Sequence, residues 1–157
     1  MTTTRIFIKE YLREYCIGRF NHGEDAPILF PDKLDIYHVI LDLTETRPTN
    51  ATTDGNMDIF IPSPSHGKNP KIYNYLSSRA QAIIERKISI MMWADLHGDL
   101  ESGKQILGLQ YNEIIYKFMN RYGITSITED AMSKHFYRYK ENIRKRTVRR
   151  KYNRSNC

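Results

Sequence analysis

The residues best suited to chemistry lie in the last two dozen positions, and the chemistry they suit is neutralisation of a polyanion. From Lys134 onward the chain carries ten Lys and Arg against one acid, Glu141, whereas residues 1–133 hold 14 bases and 17 acids. The net charge of +6 therefore comes from the C-terminal end of a mildly acidic body. That asymmetry implies an anionic partner. Lys and Arg displace the counterions of a phosphate backbone, which gives salt-dependent affinity without sequence preference. Tyr137, Tyr139 and Tyr152 lie among the bases, where rings can stack on exposed nucleobases. The candidate nucleic-acid-binding set is Lys134, Tyr137, Arg138, Lys140, Arg144, Lys145, Arg146, Arg149, Arg150, Lys151 and Arg154. Residues 144–154 present no apolar face that would anchor a helix on a membrane.

Other reactive groups are scattered. Asp95, His97 and Asp99 offer two carboxylates and an imidazole within five positions, but with no further ligand the expectation is a polar helix end, not a metal site. Gly67-Lys68-Asn69 lacks the upstream glycine and the following hydroxyl of a phosphate-binding loop. Cys16 falls on an apolar stripe, and with Cys157 it makes no disulfide framework. Neither a Gly-x-Ser-x-Gly nor a His-Glu-x-x-His pattern occurs. The expectation is a protein that is not an enzyme and needs no cofactor or metal. No run of apolar residues suggests a leader or a membrane span, so the chain is expected to be cytoplasmic, with no membrane partner.

The elements that must position the basic segment are read from periodicity and punctuation. Residues 5–9, 26–30 and 57–61 read as short strands. Residues 10–20 have helical spacing, and Pro31-Asp32 opens a second, well-buried helix with Asp32 as its cap. Residues 47–56 form a loop rich in turn formers. Asn69-Pro70 pairs a capping residue with proline at the first helical position. The stripe from Ile72 through Leu76, Ala80, Ile84, Ile88 and Met92 then carries a long helix to about Leu96, with His97-Gly98 as its end. The next helix begins between Ile106 and Gln110 and runs to Tyr122, where Gly123 closes it. Ser126 and Glu129 form a capping-box pattern for the last helix, whose inner stripe is Ile127, Ala131, Met132, Phe136, Tyr139 and Ile143. The fold class expected is α+β, mostly helical: short N-terminal strands, a long central helix and a C-terminal helical hairpin. One domain covers 1–145, with a mixed part over 1–68 and a helical part over 69–145. Residues 146–157 are expected to form a flexible basic tail. The long helix, 69–97, is the expected surface for a homo-oligomer.

Tyr122-Gly-Ile-Thr-Ser126 joins one helix to a capped successor. This arrangement, over residues 112–140, resembles the turn of helix-turn-helix DNA-binding proteins, in particular small accessory or regulatory proteins of bacterial phages and mobile elements. The resemblance implies DNA in preference to RNA, with the last helix as the binding element. Met119 and Glu129 depart from the small and apolar residues usual at those positions of the motif. Glu129 and Asp130 make the first turn of that helix acidic, which favours contact with the backbone over reading of bases. Alternatively, the chain is a structural or assembly protein that oligomerises through its helical part.

Overall fold

A computed structural model describes residues 1–155. Alternating apolar residues build the N-terminal ladder. β1 (Thr3–Ile6) pairs antiparallel with β3 (Met57–Phe60) in the register Thr3↔Phe60 to Ile6↔Met57. Thr4, Ile6, Met57 and Ile59 are buried, as the period of two requires. Asn56 extends the ladder with a side chain in place of backbone: its amide accepts from Ile8 N–H (3.0 Å) and donates to Ile8 C=O (2.8 Å). The strand expected over 26–30 is reduced to a single parallel bridge, Ile28↔Ile59. Pro27 and Pro31 flank it, and a proline has no N–H to give to a ladder.

α1 (Glu10–Phe20) spans the expected residues and buries Leu12, Tyr15 and Cys16. α2 (Asp35–Leu43) starts two residues later than a cap at Asp32 would place it, behind Leu34. Leu34 N–H bonds back to Pro31 C=O, so Pro31-Asp32 makes a separate turn and Asp32 is not the cap. Only Ile36 and Ile40 of α2 are buried. Its C-terminal carbonyls are held by Lys68, whose ammonium donates to Leu41, Asp42 and Thr44 C=O at 2.8–3.1 Å. This satisfies groups that a helix end leaves unpaired.

The largest correction concerns the start of the long helix. Asn69 does cap a turn, accepting from Lys71 N–H at 3.0 Å, but the turn does not propagate. Residues 73–75 (Tyr-Asn-Tyr) form β4 (Tyr73–Tyr75) instead, paired antiparallel with β2 (Glu45–Thr46). Aromatic residues favour strands. The mixed part of the fold thus reaches Tyr75, not residue 68. α3 (Ser78–Leu107) begins behind Ser77, whose Oγ accepts from Ala80 N–H. It passes through His97-Gly98, the expected end, because Leu100 and Gly103 continue the buried stripe. It stops at Gly108, in the left-handed conformation (φ 63°). At 1.5 Å per residue α3 is about 45 Å long.

α4 (Tyr111–Tyr122) starts with Gln110 N–H donating to the Glu113 carboxylate (3.2 Å). It ends at Gly123 (φ 67°), as expected. α1 crosses α4 so closely that a Cβ on Gly18 would lie 2.4 Å from Tyr122 C=O. α5 (Glu129–Ser155) completes the chain. The boundary expected at 145/146 falls inside it: residues 146–155 are helix, and 156–157, including Cys157, lie outside the described residues. One apolar core runs from Ile6 to Phe136 and takes side chains from β1, β3 and all five helices. The architecture is α+β and mostly helical. Among the described residues no helix is long and apolar enough to cross a membrane.

Candidate nucleic-acid interface

The basic segment is positioned by the turn before it. Gly123 reverses the chain, Ile124 inserts into the core, and the Glu14 carboxylate on α1 grips the next two residues. Glu14 accepts from the N–H groups of Thr125 (2.9 Å) and Ser126 (3.1 Å) and from both hydroxyls (2.8 Å each). Burial works against its charge, but these hydrogen bonds outweigh it and hold the carboxyl below its ordinary pKa. The turn therefore presents its donors to an internal anion. Ser126 serves Glu14 and is not the cap of α5. That role falls to Thr128, whose Oγ1 accepts from Ala131 N–H at 3.1 Å.

The first two turns of α5 are its root. Met132 and Phe136 are buried. Trp93 of α3 stacks on His135 at 3.6 Å, and His97 stacks on Tyr139 at 3.9 Å. Tyr111 meets Phe136 edge-on at 5.0 Å. Two cations clamp the Tyr111 ring, Lys104 at 4.3 Å and Lys140 at 5.1 Å, and Lys140 also donates to its hydroxyl (3.3 Å). His97 Nε2 and His135 Nδ1 are buried with no hydrogen-bond partner among the described residues. Burial, and then neighbouring positive charge (His135 on His97, Arg138 on His135), holds both imidazoles below the ordinary pKa. Sequence reasoning placed Met132, Phe136 and Tyr139 on the inner face of this root but missed the stacking of Trp93 and His97 on His135 and Tyr139. Its signal was the i, i+4 spacing of Trp93 with His97 and of His135 with Tyr139, which faces two aromatic pairs at each other.

Beyond Phe136 the contacts with the body thin out: Tyr139 and Lys140 still reach His97 and Tyr111, and from Asn142 on every described residue is exposed. Tyr111 is the first residue of α4, so α5 runs past the end of its partner, and its fully buried side chains stop at Phe136. The inner stripe expected to continue through Tyr139 and Ile143 is exposed there (39% and 44%). The segment beyond Phe136, 137–155, holds Arg138, Lys140, Arg144, Lys145, Arg146, Arg149, Arg150, Lys151 and Arg154 against Glu141. It is about 28 Å long. Lys134 lies below it on the root, paired with Asp130 (2.8 Å). Glu141 meets Arg144 (2.9 Å) and Lys145 (4.0 Å). The candidate residues thus share one helix, and all except Lys134 lie beyond its last buried side chain, Phe136.

The other clusters are dispersed by the fold. Asp95 turns to α1, accepting from Arg19 (2.7 Å) and Tyr15. Asp99 turns to α4 and Arg121 (3.0 Å), while His97 faces α5. Among the described residues no group of His, Cys, Asp and Glu is arranged to hold a metal. Burial pushes the Cys16 thiol up to about 12, which leaves it unreactive. An open apolar cavity of about 410 Å³ lies between the end of α3 and α4, lined by Ile106, Leu107, Leu109 and Ile114 with Lys117 and Arg121 at its edge. Compared with models of protein families, with curated proteins and with solved structures, the chain matches none.

Proposed function

We propose that this chain is a nucleic-acid-binding protein of accessory or regulatory type, with DNA favoured over RNA, and that α5 supplies the affinity. One observation carries the reading: nine cations and one acid occupy the helix segment beyond Phe136, most of which projects from an acidic body. Such a segment repels itself and gains by meeting phosphates, which release counterions as they are neutralised. The occupied turn at Thr125-Ser126 and the acids Glu129 and Asp130 direct binding to the distal part of α5, away from the turn. Fluorescence anisotropy with a DNA duplex tests this. Loss of residues 144–157 abolishes binding, and affinity of the full chain falls steeply with salt; unchanged affinity after truncation rejects the reading.

A second reading, an assembly protein that oligomerises through its helical part, draws on the exposed Ile106 and Leu107 (79% and 69%) beside the α3–α4 cavity. This surface lies beyond the 69–97 stretch expected from sequence, where the large exposed apolar side chains are Ile72 and Ile90. Light scattering separates the two: a large, salt-stable oligomer with weak duplex binding favours assembly, and a monomer excludes it.

A further inference from the structure

The part of α5 beyond Phe136 is not evenly basic around its axis. At about 100° per residue, Tyr137, Val148 and Tyr152 fall within a sector of about 60°, with Glu141 inside it. All three are exposed, at 53%, 60% and 68%. Lys140, Arg144 and Lys151 form one flank of this stripe. Arg138, Lys145 and Arg149 form the other, each flank centred about 70° from it. Arg146, Arg150 and Arg154 cover the back.

We infer that this helix seats in the major groove of B-form duplex DNA, with Tyr137, Val148 and Tyr152 toward the base edges and the two cationic flanks toward the two phosphate walls. The inference rests on the proposed binding by α5 and adds which nucleic acid it takes and how. Two rows of cations lie either side of a stripe whose one charge, Glu141, is paired with Arg144 of one flank and Lys145 of the other, and this arrangement matches a channel with two anionic walls and an uncharged floor. The major groove of B-form DNA is about 12 Å wide, and a helix with its side chains is about 10–12 Å across. The floor carries thymine methyl groups and hydrogen-bonding edges that suit Val and Tyr. The deep, narrow major groove of A-form RNA excludes a helix. A single strand offers one row of phosphates and leaves one flank unmatched. The stripe is too narrow and too interrupted, by Glu141, to bury a helix in lipid.

The full chain is titrated by anisotropy, across a salt series, against three probes: a DNA duplex of roughly 20 base pairs, the RNA duplex of the same sequence, and one DNA strand alone, lengths chosen to exceed the span of the helix. The DNA duplex binds at least about tenfold more tightly than the other two, and six flank cations give a slope of log K on log salt of about −5. Arg144→Gln with Lys151→Gln, and separately Lys145→Gln with Arg149→Gln, each reduce that slope by about 2. Circular dichroism confirms that both variants keep their helix content. RNA duplex or single strand bound as tightly as DNA duplex overturns the inference while leaving nucleic-acid binding in place. A slope that responds to one flank and not the other does the same. Absence of salt-dependent binding to all three probes overturns both readings.

Discussion

α3 and α5 are nearly equal in length, 30 and 27 residues, yet they are helices for different reasons. α3 carries a buried residue about every fourth position from Ala80 to Gly103, so the core holds it along most of its length. Among the described residues α5 buries two side chains, Met132 and Phe136, both near its start. Beyond Phe136 it keeps two contacts with the body, Tyr139 on His97 and Lys140 on Tyr111, and past these it relies on its own backbone hydrogen bonds, good helix formers such as Arg and Lys, and a Glu141–Arg144 pair. Like charges along that segment oppose it. A short helix without tertiary packing is marginal in water. The comparison separates two uses of a long helix: α3 organises the fold, and α5 is a fold element at its root and a presented surface beyond it.

Truncating a side chain in each helix breaks the comparison most directly. Leu96 is fully buried on α3, and Leu96→Ala should cost about 2–5 kcal/mol through lost burial and a residual cavity. Val148 is 60% exposed on α5, and Val148→Ala should change stability by less than about 0.5 kcal/mol. Urea denaturation reads both. A Val148 variant as costly as the Leu96 variant would mean that the projecting helix packs on something, such as a second copy of the chain.

The turn that aims α5 gives a smaller effect with a pH signature. Glu14→Gln removes the charge that four donors converge on and should cost roughly 1–2 kcal/mol at neutral pH. Because the folded pKa of Glu14 lies below its ordinary value of 4.5, its stabilisation is fully present above that value. It is lost as pH falls from there through the folded pKa. The variant should therefore lose less stability than the parent between neutral and acid pH. Parallel acid limbs in thermal melts taken across that range would show that Glu14 does not steady the turn.

Legibility in the sequence tracked the range of the interactions involved. The bounds of α1 and the left-handed Gly123 were readable because periodicity and glycine chemistry are local. So was the charge of α5, which needs no structure at all. Asn69-Pro70 misled because a cap nucleates only one turn, and pairing decides the fate of the next residues: Tyr73 and Tyr75 found Thr46 and Glu45, far back in the chain. Residues 26–30 misled because their alternation is real but their flanking prolines limit the pairing to one bridge. Ser126 had the right chemistry and the wrong partner, since Glu14 lies 112 residues away. The two faces of α5 were hidden by the assumption that its end was a free tail, for only a continuous helix turns a list of cations into a stripe and two flanks.

His97-Gly98 misled for a reason that yields the smallest prediction. Glycine stops a helix when nothing else sustains it, and on α3 the core does. A Cβ on Gly98 would meet no atom within 4 Å, so the residue is not required by any close approach. Its conformational freedom in the unfolded chain is then a pure cost, and Gly98→Ala should stabilise the protein by about 0.5–1 kcal/mol. The complementary change, Arg146→Gly in the unsupported part of α5, should leave global stability almost untouched while reducing helix content by circular dichroism, because no core holds that segment. If Arg146→Gly instead lowered the melting temperature as much as a core truncation, α5 would be part of the cooperative unit along its whole length. The distinction between a packed helix and a presented one would then fail.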